Sequence, residues 1–176
     1  MGTALLAKDQ SRDWTIAVIQ ERMSNLMRYL FTMPILARFE LDCHERVERE
    51  QALTADGMSA TLFDLYRQGY GDELVLDEPR MGITWARFPH LFGNFYVFQY
   101  ATGISAAHAL AAKVREEGPE AASTYVDFLR AGGSRDPLDA LLSAGIDMRS
   151  PEPVQRAFDV LDGYVRQLEA FAAEEG

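Results

Sequence analysis

A chain of 176 residues is long enough for one compact domain with a buried core and short for two. Its composition, 48% hydrophobic and 25% charged, is globular and excludes a largely disordered chain. With 17 basic against 27 acidic residues the formal charge is −10, which argues against nucleic acid or an anionic membrane as the main partner, since both attract basic surfaces.

Cys43 is the only cysteine, so an intrachain disulfide and a cysteine-based zinc motif are both excluded. One free thiol suits a reducing compartment. The first residues lack the basic start and sustained apolar run of a signal peptide. No uncharged apolar stretch reaches the roughly 18–20 residues of a membrane span. The expectation is a soluble, cytoplasmic protein with a flexible N-terminus over 1–10 and a single helical domain over 11–176.

In chain order, Ile16, Ile19, Met23, Leu26, Met27, Leu30 and Phe31 recur at three- and four-residue steps, the mark of one apolar helix face. Ser11 is placed to cap that helix, with Asp13 at the positive end of its dipole. Pro34 predicts a kink or break near Thr32–Pro34, because it lacks a backbone donor and clashes with the preceding turn. The pattern resumes at Leu36, Phe39, Cys43 and Val47. Thr54 opens a further helix that stops at Gly69–Gly71. Residues 72–94 carry Pro79, Gly82, Pro89 and Gly93 among irregularly spaced apolar residues, and predict a long ordered loop with one short strand. A second long helix is expected over Phe95–Glu117, aromatic at its start and rich in alanine afterwards. Those small residues would let another backbone approach closely. Helices from Pro119 to about Ala131, from Pro137 to Ser143 and from about Val154 to Glu174 complete an all-α chain.

Few motifs carry chemistry. His44-Glu45-Arg46-Val47-Glu48 has the outline of a helical zinc motif, HExxH, with glutamate in place of the second histidine. It continues into an ordinary charge run and reads as a surface helix. His108 lies on the alanine-rich helix with no acidic or histidine neighbour one turn away. His90 follows Pro89 shortly before Tyr96 and Tyr100, which are four residues apart and so expected on one helix face. An imidazole and two phenols in proximity can donate hydrogen bonds to a developing oxyanion; the plainer alternative is an aromatic core helix beside a loop histidine. Nucleotide motifs and a GxSxG elbow are absent from the sequence.

The stretch from Trp85 to Gly103, WARFPHLFGNFYVFQYATG, resembles a segment of oligoendopeptidase F and its relatives, zinc endopeptidases of the thimet-oligopeptidase-like (M3) family. Phe39-Glu-Leu-Asp-Cys-His-Glu, the Ala52-Leu-Thr turn and Leu65-Tyr-Arg resemble the family upstream. Phe128-Leu-Arg-Ala-Gly-Gly-Ser-Arg-Asp-Pro-Leu-Asp, Ala144-Gly-Ile-Asp-Met and Ser150-Pro-Glu-Pro-Val resemble it downstream, so that roughly residues 15–172 are covered. The resemblance implies a helical bundle like the C-terminal part of the family's catalytic domain. It also implies that the zinc, held in the family by an HExxH helix and a later glutamate, is bound by a part preceding the one matched here. No cofactor is then expected in this chain alone, with zinc in the complete enzyme. The family's oxyanion-stabilising roles fall on His90 and Tyr96, with Tyr100 as a further candidate. Position 98, commonly tyrosine in the family, is Phe98 here, and Phe92-Gly93-Asn94 departs from a more tyrosine-rich version.

Three readings compete. The first is the C-terminal portion of a zinc oligopeptidase, inactive alone, acting on oligopeptides once completed by a zinc-bearing half. The second is a non-catalytic peptide-binding or self-associating helical module, with a homodimer covering an exposed apolar face. The third is an independent metallohydrolase using His44, Glu45 and Glu48.

Overall fold

The computed structural model describes residues 11–174; the expected flexible segment 1–10 lies outside them. All regular elements among the described residues are helical. Internal contacts divide the chain into two compact units. Met27–Ala101 forms an inserted unit, and the chain on either side of it forms an outer unit.

Helix α1 spans Arg12–Met27. The Ser11 hydroxyl accepts the Trp14 N–H at 3.3 Å, the cap expected from sequence. The break expected near Pro34 is a π-helical turn over Arg28–Thr32, after which α2 runs Met33–Glu48 with Pro34 in its first turn. Pro34 cannot donate to the preceding turn, and the wider π-helical turn before it leaves room for its ring against the preceding carbonyls. Helix α3, Ala55–Tyr70, is capped by Thr54, whose hydroxyl accepts from the Gly57 N–H at 3.1 Å. It ends at Gly71, whose φ of +68° is open to glycine without steric cost.

The core of the inserted unit is made of large side chains: Met33, Ile35, Leu36 and Phe39 of α2, Leu62 and Tyr66 of α3, and Val97. Burying one leucine fully, as at Leu36 and Leu62, is worth about 1.5–3 kcal/mol.

Residues 72–94 differ from the expected loop and strand. They fold into α4 (Glu78–Gly82), α5 (Thr84–Arg87) and a 3₁₀ turn at Pro89–Phe92. Each is too short to show a 3.6-residue apolar rhythm, which is why the sequence pattern missed them. Asp77 caps α4 by accepting the Arg80 N–H at 3.1 Å. Gly82 is buried where α4 meets α3, and a Cβ there would stand 2.9 Å from the Ser59 carbonyl oxygen. The Trp85 indole N–H donates to the Ser59 hydroxyl at 3.1 Å, tying α5 to α3 just ahead of the 3₁₀ turn.

The outer unit contains α1 and most of α6 (Phe98–Glu117), then α7 (Pro119–Ala131), α8 (Pro137–Ser143) and α9 (Glu152–Ala173). Its hydrophobic cluster is Ala106, Ala109, Leu110, Ala144 and Ile146. Close approach through small residues is therefore confined to one stripe of α6, while Gly103 and Ala107 are exposed.

Candidate functional site

Helix α6 begins at Phe98, three residues later than the aromatic run suggested. Phe95 adopts φ +52°, a left-handed conformation that costs an ordinary L-residue about 1–3 kcal/mol. That residue ends any helical path from Asn94 onward. Tyr96 therefore sits ahead of the helix rather than one turn along it from Tyr100. Its amide donates back to the Gly93 carbonyl at 3.0 Å, and its own carbonyl receives the Gln99 N–H at 3.2 Å.

The turn nevertheless brings together the three residues singled out from sequence. His90, in the 3₁₀ turn, stacks between Phe88 (ring centroids 4.8 Å apart) and Tyr96 (5.7 Å, interplanar angle 19°). Tyr100 presents its ring to both, edge-on to His90 at 5.7 Å and to Tyr96 at 5.4 Å. The two phenol oxygens share a hydrogen bond of 3.1 Å. Tyr29 stacks on Tyr100 at 5.5 Å, closing the cluster from the other side. Tyr96 is 40% exposed. The His90 Nδ1 atom is buried and without a hydrogen-bond partner.

The hydrogen bond with Tyr96 pushes the Tyr100 phenol above the ordinary tyrosine value, with partial burial adding to the rise. Either hydroxyl can donate in this bond, and when Tyr100 does, the Tyr96 O–H is left to donate outward. The site thus offers an exposed phenol donor beside an imidazole, on an aromatic wall. This suits binding a polar oxygen, such as a peptide carbonyl, against a flat apolar group.

One residue that supports this geometry was not singled out from sequence. Glu40 of α2 is buried, 5% exposed, and its Oε1 accepts the Phe95 N–H at 2.6 Å. A sequence signal existed: Glu40 lies in the apolar stripe of α2 beside Phe39 and four residues after Leu36, where a carboxylate needs a partner.

His44 of the HExxE segment is engaged in the same place. Its Nδ1–H donates to the Glu40 carbonyl at 2.8 Å, and its ring lies 4.7 Å from that of Phe95. Glu45 pairs instead with Arg49 at 2.9 Å, and Glu48 is exposed. Among the described residues no group of three or more His, Cys, Asp or Glu side chains is arranged to hold a metal ion. His108 lies on α6 in the outer unit, where burial, reinforced by the positive charge of Arg22, pushes its pKa below the ordinary value. Phe98 is exposed. Among the described residues, no helix is long and apolar enough to cross a membrane.

Comparison with known proteins bears out the family resemblance over nearly the whole chain. Residues 3–160 match the model of peptidase family M3. The chain is 34% identical over 169 residues to oligopeptidase PepF of Bacillus subtilis, covering 96% of this chain and 25% of that protein. It is 32% identical over 165 residues to the plasmid oligoendopeptidase F of Lactococcus lactis subsp. cremoris, covering 94% and 27%. The crystal structure of oligoendopeptidase F from Enterococcus faecium superposes with a TM-score of 0.91 at 30% identity, over 98% of this chain and 33% of that one. The chain thus spans a quarter to a third of the length of these relatives. By family match, sequence identity and all-helical fold together, the chain belongs to peptidase family M3 and is oligoendopeptidase F-like.

Proposed function

We propose that this chain supplies the substrate-facing histidine–tyrosine segment of an oligoendopeptidase F-like zinc endopeptidase of the cytoplasm, one that hydrolyses peptide bonds in oligopeptides, and that it is inactive by itself. The observation that carries the reading is the meeting of His90, Tyr96 and Tyr100 in one partly exposed cluster. Family membership makes a peptide the natural occupant. In this reading Tyr96 donates its hydroxyl proton to the scissile carbonyl oxygen as negative charge develops there. His90 donates to the same oxygen from its ring nitrogen other than Nδ1. Tyr100 directs the Tyr96 hydroxyl. Donors held in place before the reaction stabilise that charge without reorganising.

In this reading the metal and its ligands belong to a zinc-bearing partner segment, as the family resemblance implies, and no step of this chain's chemistry passes through them. The test mixes the chain with the zinc-bearing part of an oligoendopeptidase F and follows cleavage of an internally quenched oligopeptide. Hydrolysis is expected only from the mixture. His90→Ala and Tyr96→Phe are each expected to lower kcat by about 10²-fold with folding intact, the usual cost of one oxyanion donor. Full activity of both variants, or a mixture that never cleaves, overturns the reading.

A second reading, a self-associating helical module, is favoured by one observation. Helix α7 leaves Tyr125, Val126 and Leu129 substantially exposed on a short stretch. A discrete homodimer in sedimentation equilibrium that persists in the presence of the zinc-bearing part would favour this module over the completed enzyme.

A further inference from the structure

Glu40 is a carboxylate in an apolar helix face, and such a group is retained only where it meets a strong partner. Its partner is the amide of Phe95, 55 residues away in sequence, in a short charge-assisted hydrogen bond. Phe95 is a bulky residue held at positive φ. Its ring is supported by His44, which is itself fixed to the Glu40 carbonyl one turn earlier. One turn of α2 thus grips both the backbone and the side chain of Phe95. The next residue is Tyr96, and the left-handed step at Phe95 sets the direction in which its ring leaves the chain.

We propose that Glu40 is a positioning residue: its carboxylate holds Phe95 in the left-handed turn that places the Tyr96 phenol against His90. It acts through that turn and touches no substrate. Its catalytic consequence, though not the positioning itself, rests on the proposed roles of His90 and Tyr96.

The test uses the full chain and reads geometry before activity. The stacked rings of His90 and Tyr96 should give ring-to-ring NOEs. Glu40→Gln keeps an acceptor in the same shape, so these NOEs should persist, while the Phe95 amide should exchange faster because its bond is no longer charge-assisted. Glu40→Leu keeps the apolar fit and removes the acceptor, so the NOEs should vanish while the helical circular dichroism remains. Full NOEs in folded Glu40→Leu overturn the proposal. So does an unchanged Phe95 exchange rate in Glu40→Gln, and that measurement decides the matter if Glu40→Leu does not fold.

In the reconstituted peptidase, Glu40→Leu should lower kcat about 10-fold or more with KM little changed, and should add less than about twofold in a Tyr96→Phe background. An equal loss in both backgrounds overturns action through Tyr96. A mixture without any hydrolysis sinks the peptidase reading, while the NOE and exchange results still decide the positioning claim.

Discussion

The two units of this chain are built on opposite packing strategies. The inserted unit fills its core with Leu36, Phe39, Leu62 and Tyr66. The outer unit relies on Ala106, Ala109 and Ala144 around Leu110 and Ile146. Large side chains bury much apolar surface per residue and interlock in specific rotamers, so they can hold irregular backbone in place. Small ones let helices approach closely but contribute less burial each. The candidate site lies in the inserted unit, where a 3₁₀ turn and a left-handed phenylalanine must both be held. The comparison indicates why an irregular site belongs on the large-residue core.

The two cores should break in opposite ways. Leu62 is completely buried, and Leu62→Ala is expected to cost about 2–5 kcal/mol in urea unfolding, through lost burial and the cavity left behind. The exchange protection of amides in Met27–Ala101 should fall first. Ala109, 2% exposed, has little to lose by truncation and no room to grow, so Ala109→Leu is expected to cost about 1–3 kcal/mol by overpacking. Its protection loss should start in the outer unit. If either variant loosens both units equally, the division into separately stabilised cores fails.

The smallest effects sharpen the contrast through pH. In the inserted unit burial raises the pKa of the Cys43 thiol, with Asp42 adding to it, and burial raises that of the Tyr66 phenol. A raised pKa in the folded state means that the unfolded chain loses its proton first. Their stabilisation is therefore complete below the unfolded values, about 8.5 for Cys and about 10 for Tyr, and is lost as pH rises through the folded ones. In the outer unit His108 is depressed, chiefly by burial. Its contribution is present above about 6.5 and is lost as pH falls through the folded value. Residue-resolved exchange across pH should show the inserted unit loosening on the alkaline side and the outer unit on the acid side. The acid limb should flatten in His108→Gln. An acid limb unchanged by that substitution would remove His108 from the account.

Much of the chain was legible as a sequence. Three- and four-residue apolar spacing located the helical stretch that becomes α1 and α2. Thr54 and Pro119 marked helix starts, Gly71 a helix end, and Pro34 the interruption that the structure resolves as a π-helical turn. His90, Tyr96 and Tyr100 were singled out from their proximity along the chain and from the family resemblance, and the structure gathers them into one cluster. Less legible was how they meet. Tyr96 was expected on the helix face it precedes, and residues 72–94 were expected as loop and strand.

These outcomes share a cause. Capping, breaking and amphipathic spacing act over a turn or two, so they can be read from neighbouring letters, and with them the all-α class. The match to family M3 is likewise a property of the sequence. The left-handed turn at Phe95, the grip of Glu40 on its amide and the place of His44 beneath its ring depend on groups more than fifty residues apart. An ordinary residue stays in that conformation only when surrounding contacts outweigh its local cost, and only the folded core supplies those contacts.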